Sequence, residues 1–366
     1  METLTLVLFI VGFGLLLLGA ELLVRGASHL AAVMRIPPIV IGLTVVAYGT
    51  SAPELAVSVS SAWSGTADIA LGNVVGSNIC NVLLILGLSA LVAPLVVQDR
   101  LVRFDVPLMV ALSVLVLLIG LDGKIGRIDG IVLAAGAVGY TVLLVREGRR
   151  AQSQGAEEEV PVGNRRHWSI DLILVVAGLG MLVVGSDWLV GGAVAIARVL
   201  GVSELIIGLT VVAVGTSLPE LATSVIAAVR GERDIAVGNI VGSNIFNILS
   251  VLGFSATFSP DGIAVSPVAL GFDIPVMIAV AVACLPVVFT GLRIERWEGA
   301  MFLGYYVAYT AYLILDASNN PALPTFRWIM GVFVLPLTAL TLLVLVIRQW
   351  RRNRDDSRSS RPTALI

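Results

Sequence analysis

Two short stretches place reactive side chains inside apolar sequence. GTSAPEL at residues 49–55 and GTSLPEL at 215–221 each set Thr, Ser, Pro and Glu within a run long enough to cross a membrane. Each is followed by an asparagine-rich segment, GNVVGSNICN at 72–81 and GNIVGSNIFN at 238–247. Glu54 and Glu220 supply carboxylates at a depth where an ionised group is costly unless it is paired. Thr50, Ser51, Thr216 and Ser217 add hydroxyls in the same turns. Pro53 and Pro219 each delete a backbone hydrogen bond, which is expected to release carbonyls around residues 47–49 and 213–215. Ser77 and Asn81 are four apart and share a helix face, as do Ser243 and Asn247. The donors are all oxygens, with no nitrogen or sulfur. Such a set suits hard cations, Ca²⁺ with about six to eight oxygens above all and Na⁺ by the same logic.

A simpler reading accompanies each feature. A single buried glutamate can be a protonated group bridging helices, a proline kink is common in membrane helices, and glycines and serines often serve packing alone. Two copies of the carboxylate, with no Lys or Arg at comparable depth, favour a cation ligand. The glycines Gly72, Gly76, Gly238 and Gly242 are expected to let backbones approach closely.

The elements that must carry these residues are membrane helices. The chain has 366 residues, 57% hydrophobic and 13% charged, with mean hydropathy +0.98. A soluble protein could not cover that surface with polar groups. Apolar windows of about 20 residues, enough for ~30 Å of hydrocarbon, recur throughout. Spans are expected at 4–24, 38–62, 69–93, 105–121, 128–146, 170–190, 204–228, 235–257, 269–290, 298–316 and 327–348, the first retained because no basic region precedes it. Of the 23 Lys and Arg, only Lys124, Arg127, Arg198 and Arg327 fall on one set of alternate loops. The others mark the cytoplasmic side, placing the N-terminus outside and the tail inside.

Residues 42–91 align without a gap to 208–257, at an offset of 166, and Phe104-Asp105-Val106-Pro107 resumes against Phe272-Asp273-Ile274-Pro275. One five-span unit is duplicated, and because five is odd the second copy enters from the opposite side. The fold expected is an all-α polytopic membrane protein of two inverted-topology five-helix repeats, with an eleventh C-terminal helix added. The first repeat is 1–146, a polar cytoplasmic linker 147–168, the second repeat 169–316, and the extra helix with its basic tail 317–366. That architecture belongs to secondary transporters, with the site at the repeat interface near the midplane.

Other polar residues receive simpler assignments. Asp68, Asp105, Asp234 and Asp273 stand where spans begin and are expected to cap helices. Cys80 and Cys284 read as packing residues, and His29 and His167 as interfacial ones. A cation channel would line its pore with rings drawn from several subunits, which a pair of carboxylates in one inverted repeat does not supply. An intramembrane hydrolase built on Ser51 or Ser217 lacks a His or Lys base at comparable depth. The chain is not read as an enzyme.

GTSAPEL with GNVVGSNICN, and GTSLPEL with GNIVGSNIFN, resemble the two repeats of the cation/calcium antiporter superfamily, most closely its sodium/calcium exchanger branch. The resemblance spans about residues 1–316. It implies four central helices around one Ca²⁺ site and up to three Na⁺ sites, with alternating access by movement of the first and sixth helices. Carried over by motif, the ligands implied are Thr50, Ser51, Glu54, Ser77, Asn81, Thr216, Ser217, Glu220, Ser243 and Asn247, with the carbonyls of Ala47 and Ala213. One departure is that several exchangers have aspartate at the position of Asn247. Two glutamates give a charge of −2, which one Ca²⁺ or two Na⁺ would neutralise. Exchange of Ca²⁺ for Na⁺ is the function implied, and H⁺ as the coupling ion is the alternative. The partners implied are the lipid bilayer, Ca²⁺ and Na⁺; no cofactor or nucleic acid is expected, no protein partner can be inferred, and a prokaryotic inner membrane is the expected location.

Overall fold

The computed structural model describes residues 3–64, 67–153, 168–289, 292–341 and 343–344. Among these, nine helices are long and apolar enough to cross a membrane, or ten when one bent pair counts as a single span. The chain is an integral membrane protein of two inverted five-helix repeats.

The outermost pair is α1 (Thr3–Met34) and α6 (Trp168–Val199), each of 32 residues. At ~1.5 Å per residue they run about 48 Å, longer than the hydrocarbon they cross, so they must tilt or project. They lie backbone to backbone. A Cβ at Gly19 would stand 2.8 Å from the Gly178 carbonyl, and one at Gly185 would stand 2.7 Å from the Leu16 nitrogen. Only glycine permits that approach.

Behind them lie two broken helices and two buried ones. α2 joins Pro38–Thr50 to Ala52–Trp63 with a 45° bend. α7 is its counterpart, residues 204–215 followed by Leu218–Arg230. α3 (Ile69–Val92) is buried over most of its apolar window and α8 (Arg233–Phe258) over all of it. Both also carry the buried Asn and Ser residues of the repeated motifs. α4 (Leu101–Gly120), α5 (Arg127–Ser153), α9 (Ala269–Pro286) and α10 (Arg296–Ala317) pack around this core. α11 (Leu323–Thr341) lies outermost, with none of its apolar window buried.

Two antiparallel ladders, not foreseen from sequence, fasten the repeats together. β1 (Leu95–Val96) pairs with β4 (Arg293–Ile294), and β2 (Lys124–Ile125) with β3 (Ile263–Ala264). Each ladder takes one strand from each repeat, and the pseudo-twofold exchanges them.

Several expectations need correction. The linker was placed at 147–168, yet α5 stays helical to Ser153; residues 154–167, including His167, lie outside the described residues. Asp105 is no helix cap. It is fully buried, accepts a 2.9 Å hydrogen bond from Tyr140 Oη and faces Arg100 at 3.3 Å, which also pairs with Glu147. Asp234, in the first turn of α8, accepts from Gln98 Nε2 at 2.6 Å across the repeats. At Asp273 the arrangement is related but incomplete. Asp316 acts on it electrostatically, as Glu147 does on Asp105, while Val268 stands where the first repeat has Arg100. The cation here is Arg327 of α11, which pairs with Asp316 at 3.0 Å and donates to Tyr312 Oη at 2.7 Å. The side chain of Asp68 lies outside the described residues. His29 pairs with the buried Asp171 at 2.7 Å, joining α1 to α6, and Glu21 pairs with Arg25 and Arg230.

Candidate cation-binding site

The local chain path explains why polar groups gather at one level. α2 winds as a π-helix over Gly42–Val46 and α7 does the same over Gly208–Val212. Each then breaks at a serine in nearly the same conformation, Ser51 at φ −82°, ψ 6° and Ser217 at φ −90°, ψ 7°. These dihedrals lie in the bridge region, where a helix cannot continue. A new helix starts at once, with proline in its first turn, where the missing N–H costs nothing. Glu54 and Glu220 fall in that first turn, at the positive end of the helix dipole. In α3 and α8 the π segments Asn81–Leu86 and Asn247–Leu252 begin at the motif asparagines. Single π turns inside helices recur at functional sites.

The repeats interlock through these residues. Ser51 Oγ donates to Glu220 Oε1 at 2.8 Å, and Ser217 Oγ reaches Glu54 Oε1 at 3.4 Å and Ser77 Oγ at 3.3 Å. The two carboxylates act on each other electrostatically. Thr50, Ser51, Glu54, Ser77, Asn81, Ser217, Glu220, Ser243 and Asn247 are all buried, and Thr216 is half-buried.

The unsatisfied atoms define what the arrangement can do. Glu54 Oε2, Glu220 Oε2, Asn81 Oδ1 and Asn247 Oδ1 are buried without a hydrogen-bond partner, and Ser243 Oγ, beside Glu220, makes no hydrogen bond of ordinary geometry. Native proteins pair nearly all such groups, so a cluster of bare acceptors calls for a ligand. Every one of these atoms is an oxygen with lone pairs to offer and none brings a fixed N–H, which is the chemistry of a hard cation site. Among the described residues no group of three or more His, Cys, Asp or Glu side chains is placed to hold a metal ion, and the carboxylates of this network are Glu54 and Glu220.

The two expected carbonyls differ from each other. Ala47 O accepts the Ser51 N–H at 3.0 Å and has Thr50 Oγ1 at 3.4 Å, so Pro53 does not release it. In the second repeat the Ser217 N–H goes to Val214 O at 3.0 Å and bypasses Ala213. Thr50 Oγ1 has Val46 O at 3.1 Å and Asn239 Oδ1 at 3.1 Å within reach, so its proton has protein acceptors while its lone pairs stay available.

Residues outside the expected set join the network: Asn78 Oδ1 accepts from Asn247 Nδ2 at 3.1 Å, and two Asn–Ser pairs brace the glutamate-bearing helices. Asn73 Nδ2 donates to Ser58 Oγ at 2.9 Å and Asn239 Nδ2 to Ser224 Oγ at 2.9 Å. The signal was available, since each pair is identical across the 166-residue offset.

The flanks of the site are not equivalent. The first half of α2 is packed against α8, where a Cβ at Gly238 would meet Ile39 O at 3.0 Å and one at Gly242 would meet the Ala47 Cβ at 2.9 Å. The twofold-related face of α3 is more open: among the described residues a Cβ at Gly72 or Gly76 would meet nothing within 4 Å. The expectation of close packing therefore holds for Gly238 and Gly242 and fails for Gly72 and Gly76. Correspondingly Ala47 is buried and Ala213 exposed. One approach is closed while its mirror image stands apart.

Known proteins share both the sequence and this fold. The profile of the family described as sodium/calcium exchanger protein matches residues 4–146 and 170–315. The inner membrane protein YrbG of Escherichia coli is 41% identical over 284 residues, 75% of this chain and 86% of the relative. The sodium/calcium exchanger MaX1 of Methanosarcina acetivorans is 32% identical over 349 residues, 86% of this chain and 99% of the relative. The solved structure of the sodium/calcium exchanger from Methanococcus jannaschii superposes with TM-score 0.73 at 32% identity, covering 85% of this chain and 99% of that one.

Proposed function

We propose, for a chain that belongs to the sodium/calcium exchanger family and is therefore a cation/Ca²⁺ antiporter, that it exchanges Ca²⁺ for Na⁺ by alternating access. Ca²⁺ and Na⁺ compete for overlapping ligands between the repeats. The carboxylates of Glu54 and Glu220 carry the charge. Thr50, Ser51, Ser77, Asn81, Thr216, Ser217, Ser243 and Asn247 contribute neutral oxygens, with the Ala47 and Ala213 carbonyls completing the shell. The observation that carries this reading is the cluster of bare buried oxygens lying between one closed flank and one open flank. Two equivalent half-helices that pack differently are what a protein with two mirror-related states would show in one of them.

The distribution of Lys and Arg supports an N-terminus outside and a tail inside. In that orientation the closed flank, at residues 38–50, faces the cytoplasm and the open flank, at 204–215, faces outward.

The test is reconstituted ⁴⁵Ca²⁺ uptake driven separately by Na⁺, K⁺ and H⁺ gradients with the membrane potential clamped. Uptake driven by the Na⁺ gradient alone is the expected result. Uptake driven only by H⁺ would replace Na⁺ coupling, and uniport down the Ca²⁺ gradient would replace antiport.

A further inference from the structure

Asn73 and Asn239 occupy equivalent positions in two mirrored networks. Asn73 Nδ2 donates to Ser58 Oγ at 2.9 Å and to the Glu54 carbonyl at 3.3 Å, and its Oδ1 accepts from Thr216 Oγ1 at 3.3 Å. Asn239 Nδ2 donates to Ser224 Oγ at 2.9 Å and to the Glu220 carbonyl at 3.5 Å, and its Oδ1 accepts from Thr50 Oγ1 at 3.1 Å. Each asparagine thus grips the glutamate-bearing helix of its own repeat. With its other atom it holds the threonine at the helix break of the opposite repeat.

The contrast with the neighbouring motif asparagines is chemical. Asn81 and Asn247 present an Oδ1 with no partner. In Asn73 and Asn239 the two N–H donors and the amide oxygen are all engaged by protein groups, and such an amide has no free donor left. Both lie eight residues before the bare asparagine of the same helix, yet the geometry gives them a different task.

We propose that Asn73 and Asn239 are positioning residues of the exchange site, setting where the Glu54 and Glu220 helices stand relative to the Thr216 and Thr50 breaks without binding the ion themselves. The proposal rests on the cation-site reading above. It makes ligand placement in one repeat depend on the helix break of the other, through a single side chain. A buried, fully engaged polar network of this kind fixes geometry more firmly than its separate bonds would.

Aspartate at position 73 tests the assignment by its sign. N73D keeps an acceptor for Thr216 but loses both N–H donors and sets carboxylate oxygens against Ser58 Oγ and the Glu54 carbonyl. A direct ligand changed to a carboxylate would hold Ca²⁺ more tightly; a positioning residue would hold it less tightly. Equilibrium ⁴⁵Ca²⁺ binding to the purified full chain, with Na⁺ competition, is measured for wild type, N73D, N73A, T216V, S58A and N73A/T216V. The expected loss for N73D, N73A or T216V is about threefold to tenfold in Ca²⁺ affinity, the effect of one hydrogen bond. N73A/T216V is expected to lose less than the product of the two single losses, because the variants share the Asn73–Thr216 contact. S58A, which removes only a hydroxyl, is expected to shift affinity in the same direction and serves if N73D does not fold. Tighter Ca²⁺ binding by N73D, multiplicative losses in the double variant, or unchanged binding by S58A would overturn the proposal while leaving the site intact. A wild-type chain that binds no Ca²⁺ would overturn the site reading itself.

Discussion

Ser51 of the first repeat donates to Glu220 of the second at 2.8 Å, whereas the mirrored contact of Ser217 with Glu54 is longer, at 3.4 Å. Each carboxylate is therefore held by the other repeat's helix break, and the two breaks are not in the same condition. The tighter contact belongs to the half-helix packed against α8. The looser one belongs to the half-helix that stands away from α3.

Removing either charge should stop transport. Glu54→Gln and Glu220→Gln keep the shape of the side chain but halve the charge available to a divalent cation. Each is expected to abolish Na⁺-driven ⁴⁵Ca²⁺ flux in proteoliposomes. Residual flux near the wild-type rate in both variants would show that the site lies elsewhere.

Bulk on the open face should separate binding from transport. Gly76→Leu has room in the present arrangement but would obstruct the 204–215 half-helix if it packed as residues 38–50 do. Ca²⁺ binding is expected to survive and counterflow to fall by about tenfold or more, since a clash of this size costs ~1–3 kcal/mol in the packed state. Gly242→Leu should behave differently, losing stability in the present state because its Cβ alone meets Ala47 at 2.9 Å. Equal counterflow in Gly76→Leu and wild type would count against the mirror-related state.

Charge counting predicts the electrical character of the cycle. Two carboxylates balance one Ca²⁺ or two Na⁺, so a two-for-one exchange carries no net charge across the membrane. Flux is expected to be insensitive to a clamped potential, and Asn247→Asp to introduce voltage dependence by adding a third carboxylate. Wild-type flux that follows the potential would rule out two-for-one exchange.

The α1–α6 contact predicts a loss of stability remote from the site. Gly19→Val would drive its side chain into the Gly178 carbonyl, for which nothing smaller than backbone displacement suffices. A cost of ~1–3 kcal/mol is expected, visible as a lowered Tm in detergent. Gly14, whose Cβ would meet nothing, is the control, with Gly14→Val expected to leave that Tm unchanged apart from helix propensity.

The helical, duplicated fold was legible in the sequence because hydropathy and a constant offset are properties of the chain itself. The polar residues of the candidate site were legible for the same reason, since each is one of a pair. Which repeat satisfies which carboxylate was not. Ser51 meets Glu220, 169 residues away, and only the way the inverted copies dock decides that. Asp105 illustrates the opposite failure. Its place at the start of a span suggested a cap, but its partners Tyr140 and Arg100 come from tertiary packing. Gly72 and Gly76 look identical in sequence to Gly238 and Gly242, yet among the described residues only the latter pair is closely approached.

The charge pairing of Arg327 with Asp316 has a consequence for how the molecule can be divided. In the first repeat, Arg100 answers Asp105 and Glu147 from within the duplicated unit. In the second, Val268 stands in place of that arginine, and Asp316 pairs with Arg327 of α11. The partner of Asp316 thus comes from outside the duplicated unit, and a chain cut at residue 316 would keep both repeats while losing this one ion pair.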